Sequence, residues 1–162
     1  MKNVKIKKRP FFLCLTFSIF LLASCSSEPP YKRETELFSS YLKRNFDLSI
    51  PAEKRLYCIS QKYECKGCTD YTIHIMSKFT DKTATVITTR NRLIVSDNLT
   101  LLYDNDGEID RLNLKAMGTV LIFTELGHIK KIHSVNANAL EKVDSLLQHF
   151  YMDDSNVPVE HR

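Results

Sequence analysis

Arg55-Leu56-Tyr57-Cys58-Ile59-Ser60, a short gap, then Cys65-Lys66-Gly67-Cys68 running on into residues 69–79: this stretch decides the fold. The first six residues form a near-continuous apolar run, the pattern of a central strand covered on both faces. Strand alternation puts Leu56 and Cys58 on one face and Tyr57 and Ile59 on the other. Beyond the cysteines, Ile73, Met76 and Phe79 recur at helical spacing. The CxxC therefore sits between a strand and a helix.

Outward toward the C-terminus, residues 84–89 are β-branched and read as a second strand. Residues 90–104 allow two readings, as short strands at Leu93-Ile94-Val95 and Leu99 to Tyr103, or as one strand and a turn. Asp104-Asn105-Asp106-Gly107 is a turn signal. The acids around Gly107 lack the twelfth-position glutamate of a calcium loop. Residues 119–124 predict a strong strand, and Glu125-Leu126-Gly127-His128 a tight turn into a strand over 129–135. Asn138 is placed to cap a last helix, with Glu141 at the third position and Leu140, Val143, Leu147 and Phe150 on its inner face. Lys130-Lys131 reads as a solvated strand end, and His128 and His149 as surface residues.

Outward toward the N-terminus, Leu37, Phe38, Tyr41, Leu42 and Phe46 predict a helix over 34–46, with Pro51 stopping any continuation. Ser26-Ser27-Glu28-Pro29-Pro30 before it reads as an extended tether. Residues 2–9 are basic and residues 11–23 apolar, too short to span a bilayer core of roughly 30 Å. They describe a secretory signal. Its exit, Leu22-Ala23-Ser24-Cys25, resembles the bacterial lipobox. That resemblance implies cleavage before Cys25, lipidation of its sulfur, and acyl chains that anchor the mature chain to a membrane. Ser26 in the next position favours the outer membrane by the same family habit.

The leader holds five of the 23 basic residues and none of the 19 acids, so the chain from Cys25 onward carries about −1. A nucleic-acid-binding protein wants a strongly basic domain, and this one is near neutral. The resulting organisation is a signal peptide over 1–24, a lipidated tether over 25–33, one domain over 34–152, and a tail over 153–162.

Of five cysteines, Cys14 leaves with the leader and Cys25 is blocked by lipid. Cys58, Cys65 and Cys68 remain in an oxidising compartment, where a proximal pair is expected to form a disulfide. A Cys58–Cys65 bond would pull the loop back over the sheet, so Cys65–Cys68 is the expected pair. Cys58 is expected to behave as a small buried hydrophobe. Three readings of the CxxC stay open: a redox pair, a static disulfide pinning loop to helix, and a zinc site drawing on Cys58 and His74. The single CxxC and the distance of His74 along the helix disfavour zinc.

The order helix, strand, CxxC, helix, strand, irregular segment, strand, hairpin strand, helix resembles the thioredoxin-like fold, over roughly residues 50–151. It looks most like the exported, membrane-tethered branch. The implied class is α/β, a mixed central sheet flanked by helices, with an extra N-terminal helix. The resemblance implies that Cys65 is the exposed attacking thiol and Cys68 the resolving one. Lys66 favours the thiolate, and Gly67 allows a close path between the sulfurs. At a helix N-terminus unpaired N–H groups and the dipole lower a thiol's pKa. The implied partners are thiols or disulfides of exported proteins and a membrane redox partner, with no cofactor and no metal. The implied location is the cell envelope, on the outer membrane facing the periplasm.

Three positions differ from the family pattern. The cis-proline position, nine residues before Gly127, holds Gly118, which is expected to leave the backbone looser and the groove open. Glu64 replaces an aromatic before the first cysteine. Ile59 stands where the family carries a buried proton-accepting acid. A non-catalytic lipoprotein, using the fold as a peptide- or partner-binding module, is the alternative.

Overall fold

The computed structural model describes residues 29–61, 65–79, 83–90 and 93–152. The expected signal peptide over 1–24 and lipobox with Cys25, as well as Glu64 and the tail over 153–162, lie outside the described residues.

Helix α1 (Lys32–Phe46) leads into β1 (Arg55–Ser60), α2 (Lys66–Phe79), β2 (Ala84–Thr88), β3 (Thr100–Tyr103), a 3-10 turn (Glu108–Arg111), β4 (Thr119–Glu125), β5 (His128–Val135) and α3 (Leu140–Met152). The strands form one mixed sheet in the order β3-β2-β1-β4-β5. β1 pairs β2 in parallel, with α2 as the crossover a parallel pair requires. β1 pairs β4, and β4 pairs β5, antiparallel. This is the mixed α/β sheet with an N-terminal helix that the residue pattern predicts, and its order is similar to the thioredoxin-like one.

β1 is central, and five of its six residues are buried. Leu56 and Cys58 join Ile73 and Met76 of α2 and Val143 and Leu147 of α3 in one core layer. Tyr57 and Ile59 join Phe38, Tyr41 and Leu42 of α1 in the other, with Ile109 and Leu114. The alternation read from the sequence is therefore the division between the two layers. Each fully buried aliphatic side chain contributes about 1.5–3 kcal/mol, so the layers, rather than helix propensity, hold α1 and α3 in place.

Several boundaries differ from expectation. α1 starts at Lys32, two residues earlier than read, and ends at Phe46 as read. Asp47 takes a left-handed conformation (φ 54°) and its N–H reaches the carbonyls of Leu42 and Lys43, the helix-ending geometry usually given to glycine. α3 is entered through a 3-10 turn over Ala137–Ala139, capped by Asn136, whose side chain accepts the Asn138 N–H at 3.0 Å. Asn138 itself is not the cap. The segment 93–95 is not a strand, and only Thr100–Tyr103 joins the sheet, beside β2.

The hairpin turn is as read. Leu126 and Gly127 both have positive φ (54° and 75°), as a two-residue turn matching strand twist demands. The backbone N–H groups of Leu126 and Gly127 donate to the carbonyls of Ala52 (2.7 Å) and Pro51 (3.1 Å), which holds the leucine in that uncommon conformation. Asp104 is a buried anchor: one carboxylate oxygen accepts from the Tyr41 hydroxyl (3.0 Å) and the Ile109 N–H (2.6 Å). Burial first, and then the Asp104 charge, push the Tyr41 phenol well above its ordinary range. Among the described residues no helix is long and apolar enough to cross a membrane.

Candidate functional site

α2 begins at Lys66, so Cys65 stands immediately before its first turn and Cys68 lies within it. The N–H groups of Cys68 and Thr69 donate to the Cys65 carbonyl at 2.9 and 3.1 Å. The Cys68 N–H also points at Cys65 Sγ, at 3.2 Å. A disulfide joins Cys65 to Cys68, with their Cα atoms 5.1 Å apart. Cys65, Lys66 and Gly67 are exposed while Cys68 is fully buried. The pair is asymmetric: one sulfur-bearing residue at the surface beside helix N–H groups, the other sealed in the core. A thiolate on Cys65 would gain from those donors and from the positive end of the helix.

Gly67 is not required by space. A Cβ added there meets nothing within 4 Å, and its φ is not positive. The close path between the sulfurs comes from the helical turn itself.

Gly118 is neither loose nor open. Its φ is 84°, its N–H donates to Gln61 Oε1 at 2.9 Å, and its carbonyl accepts the Gln61 N–H at 3.3 Å. Gln61 Nε2 continues to the Ile109 carbonyl at 3.3 Å. One side chain at the end of β1 thus ties the start of β4 to the 3-10 turn. Beside this tie lies a cavity of about 380 Å³ whose lining includes Gln61, Asp110, Asn113, Lys115, Met117 and Gly118.

Under the first turn of α2 the structure places a set of buried hydroxyls. Ser60 of β1 is flanked in the sheet by Thr88 of β2 and Thr119 of β4. Thr88 donates to Ser60 at 3.3 Å, and Thr69, the residue after Cys68, shares a 2.6 Å hydrogen bond with Thr119. Thr72 donates back to the Cys68 carbonyl at 2.7 Å. All five hydroxyl residues are fully buried. The Thr69–Thr119 bond places the Gly118 segment directly against the CxxC turn. None of these residues announces itself in the sequence, because buried hydroxyls have no motif spacing. A serine ending a strand and a threonine opening one, where apolar residues would fit, are the only available signals.

The structure places Ile59 away from the disulfide. Ile59, six residues before Cys65, faces the α1 layer with Tyr57. The β1 residues that share a core layer with Cys68 are Leu56 and Cys58. Cys58 is free and fully buried, and burial pushes its thiol up to about 12. The zinc reading loses its ligand set, since Cys58 is in the core and His74 is exposed on α2. Among the described residues no three histidine, cysteine or acidic side chains are grouped to hold a metal.

No protein-family model matches this chain, and no curated protein matches its sequence. The chemical reading therefore rests on this site: a disulfide at a helix start, half exposed and half buried, suited to thiol–disulfide exchange.

Proposed function

We propose that this chain is a thioredoxin-like lipoprotein of the cell envelope, held through lipidated Cys25 on the outer membrane facing the periplasm. There it exchanges thiols and disulfides with exported proteins. The observation that carries the reading is the asymmetry of the pair, Cys65 exposed and hydrogen-bonded at the head of α2, Cys68 buried behind it.

In the reducing direction the Cys65 thiolate attacks one sulfur of a substrate disulfide. A Cys65–substrate bond forms as the substrate S–S bond breaks, and the second substrate sulfur leaves as a thiolate that takes up a proton. Cys68, losing its proton to solvent, then attacks Cys65 Sγ. The Cys65–Cys68 bond forms and the first substrate sulfur departs. The substrate gains two electrons and the pair loses two, which a membrane dithiol partner restores. The opposite direction runs the same bonds backward.

A second reading is favoured by one observation. The 380 Å³ cavity beside Gly118 suits a non-catalytic module that holds a peptide or partner against the disulfide end. Insulin reduction by the native chain and by Cys65→Ser decides between them. Turnover in the native protein and none in the variant supports exchange; equal, negligible rates in both overturn it and leave the binding module.

A further inference from the structure

Lys130 and Lys131 are not a simple strand end. The β4–β5 register pairs Phe123 with Lys131 and Thr124 with Ile129, so the ladder skips Lys130 in a bulge. A bulge re-aims a side chain. Both lysines here line the same cavity of about 350 Å³, with His149 at its rim and Phe123, Leu146 and Phe150 as its apolar wall. Two or three basic groups over an aromatic and aliphatic floor match the head and upper acyl region of an anionic lipid. The acid bonded nearby is Glu125, 3.6 Å from Lys130, in an exposed pair that solvent screens.

The tether ends close by. The Ile129 N–H donates to Thr35 Oγ1 in the first turn of α1 at 3.1 Å. The chain thus leaves α1 toward Cys25 on the Ile129 face of the edge strand, across that strand from the Phe123 and Phe150 face that holds the cavity. Cys25 precedes Lys32 by seven residues, a reach of about 25 Å at most. The cavity lies level with Leu56, near the start of β1, through the Leu56–Phe123–Lys131 register. The disulfide lies beyond the opposite end of that strand.

We propose that the Lys130–Lys131–His149 cavity on the edge strand seats an anionic phospholipid of the membrane that carries the anchor, turning the disulfide end away from the bilayer. The orientation rests on the anchor reading above; the lipid site rests on the cavity and its charges.

The test uses the lipidated protein in vesicles of phosphatidylcholine alone or of phosphatidylcholine with phosphatidylglycerol. Acylation of individual lysines is followed by mass spectrometry. Lys130 and Lys131 should react several-fold more slowly in the anionic vesicles. Lys66, beside the disulfide, should react equally in both. Equal rates at Lys130 and Lys131 in the two vesicles overturn the lipid site, as does equal slowing from inorganic phosphate with neutral vesicles. Slowing at Lys66 to the same degree overturns the orientation. Cys25→Ser tests the anchor separately: loss of the protein from the membrane fraction supports it, and retention after a high-salt wash refutes it without touching the lysine result.

Discussion

Placing a proline at 118, the residue the thioredoxin-like pattern would carry there, should destabilise this protein, and an alanine at the same place should do less harm. Gly118 sits at φ 84° and its N–H is bonded to Gln61 Oε1. Gly118→Ala keeps that donor and costs about 1–2 kcal/mol for holding an L-residue in left-handed backbone. Gly118→Pro locks φ near −65° and removes the N–H. The half-buried Gln61 amide then loses its donor, a further cost of about 1–3 kcal/mol. The total, about 2–5 kcal/mol, is a large share of the 5–15 kcal/mol that holds a typical domain together. In urea, with a slope of roughly 2 kcal/mol per molar, the proline variant should unfold about 1–2.5 M earlier and the alanine variant about 0.5–1 M earlier. The comparison is made on the oxidised protein, so that the disulfide constrains all three unfolded chains alike. A proline variant as stable as the native protein, or more stable than the alanine variant, would show that the Gln61–Gly118 tie does not exist.

Cys58 should resist iodoacetamide in the folded, oxidised protein and react only after denaturation, because it is fully buried and its thiol is pushed up to about 12; rapid labelling of the native state would contradict the two-layer core. Stability should fall in two stages on acidification. His133 is held below its ordinary value of 6.5, first by burial and then by Lys131 and Lys142, so the unfolded chain binds that proton more readily and stability present above 6.5 is lost as the pH drops through the folded value. Glu34 is held below 4.5, first by the Lys115 hydrogen bond, so its contribution is present above 4.5 and lost as the pH falls through its folded value. Urea midpoints across this range should show both stages, and His133→Gln should flatten the upper one; an unchanged upper slope in that variant would refute the assignment.

Most of the fold was legible because its elements carry their own periodicity. β1 declares itself by an apolar run, and α2 and α3 by apolar residues three and four apart. The hairpin shows in the glycine after Leu126. β3 was ambiguous because half of its residues are exposed, and its membership is decided by pairing with Thr85 to Thr88, which no local pattern records. The end of α1 at Phe46 was legible from where its apolar spacing stops, and Asp47, a residue type that tolerates left-handed backbone, closes it. At the site the cysteines could be read from spacing. The tie of Gly118 could not, because Gln61 lies 57 residues away in the chain and any residue with a side-chain amide would have looked as plausible.

The two fully buried cysteines show what the helix start adds. Cys58 and Cys68 share a core layer and neither is exposed. Cys58 lies within a strand between two neighbours, where backbone N–H groups are committed to the ladder and nothing offsets the loss of solvent. Cys68 lies in the first turn of α2, where its N–H reaches both the Cys65 carbonyl and Cys65 Sγ, bonded through sulfur to an exposed residue. The hydroxyls of Ser60, Thr69, Thr88 and Thr119 at this end of the sheet carry no charge. A buried carboxylate there would repel a developing thiolate while offering to take its proton. Neutral hydroxyls do neither, so in the proposed exchange the proton released by Cys68 would pass to solvent as the Cys65 side of the pair opens. The same core layer therefore holds one free thiol and one half of a disulfide, distinguished by backbone geometry rather than by depth.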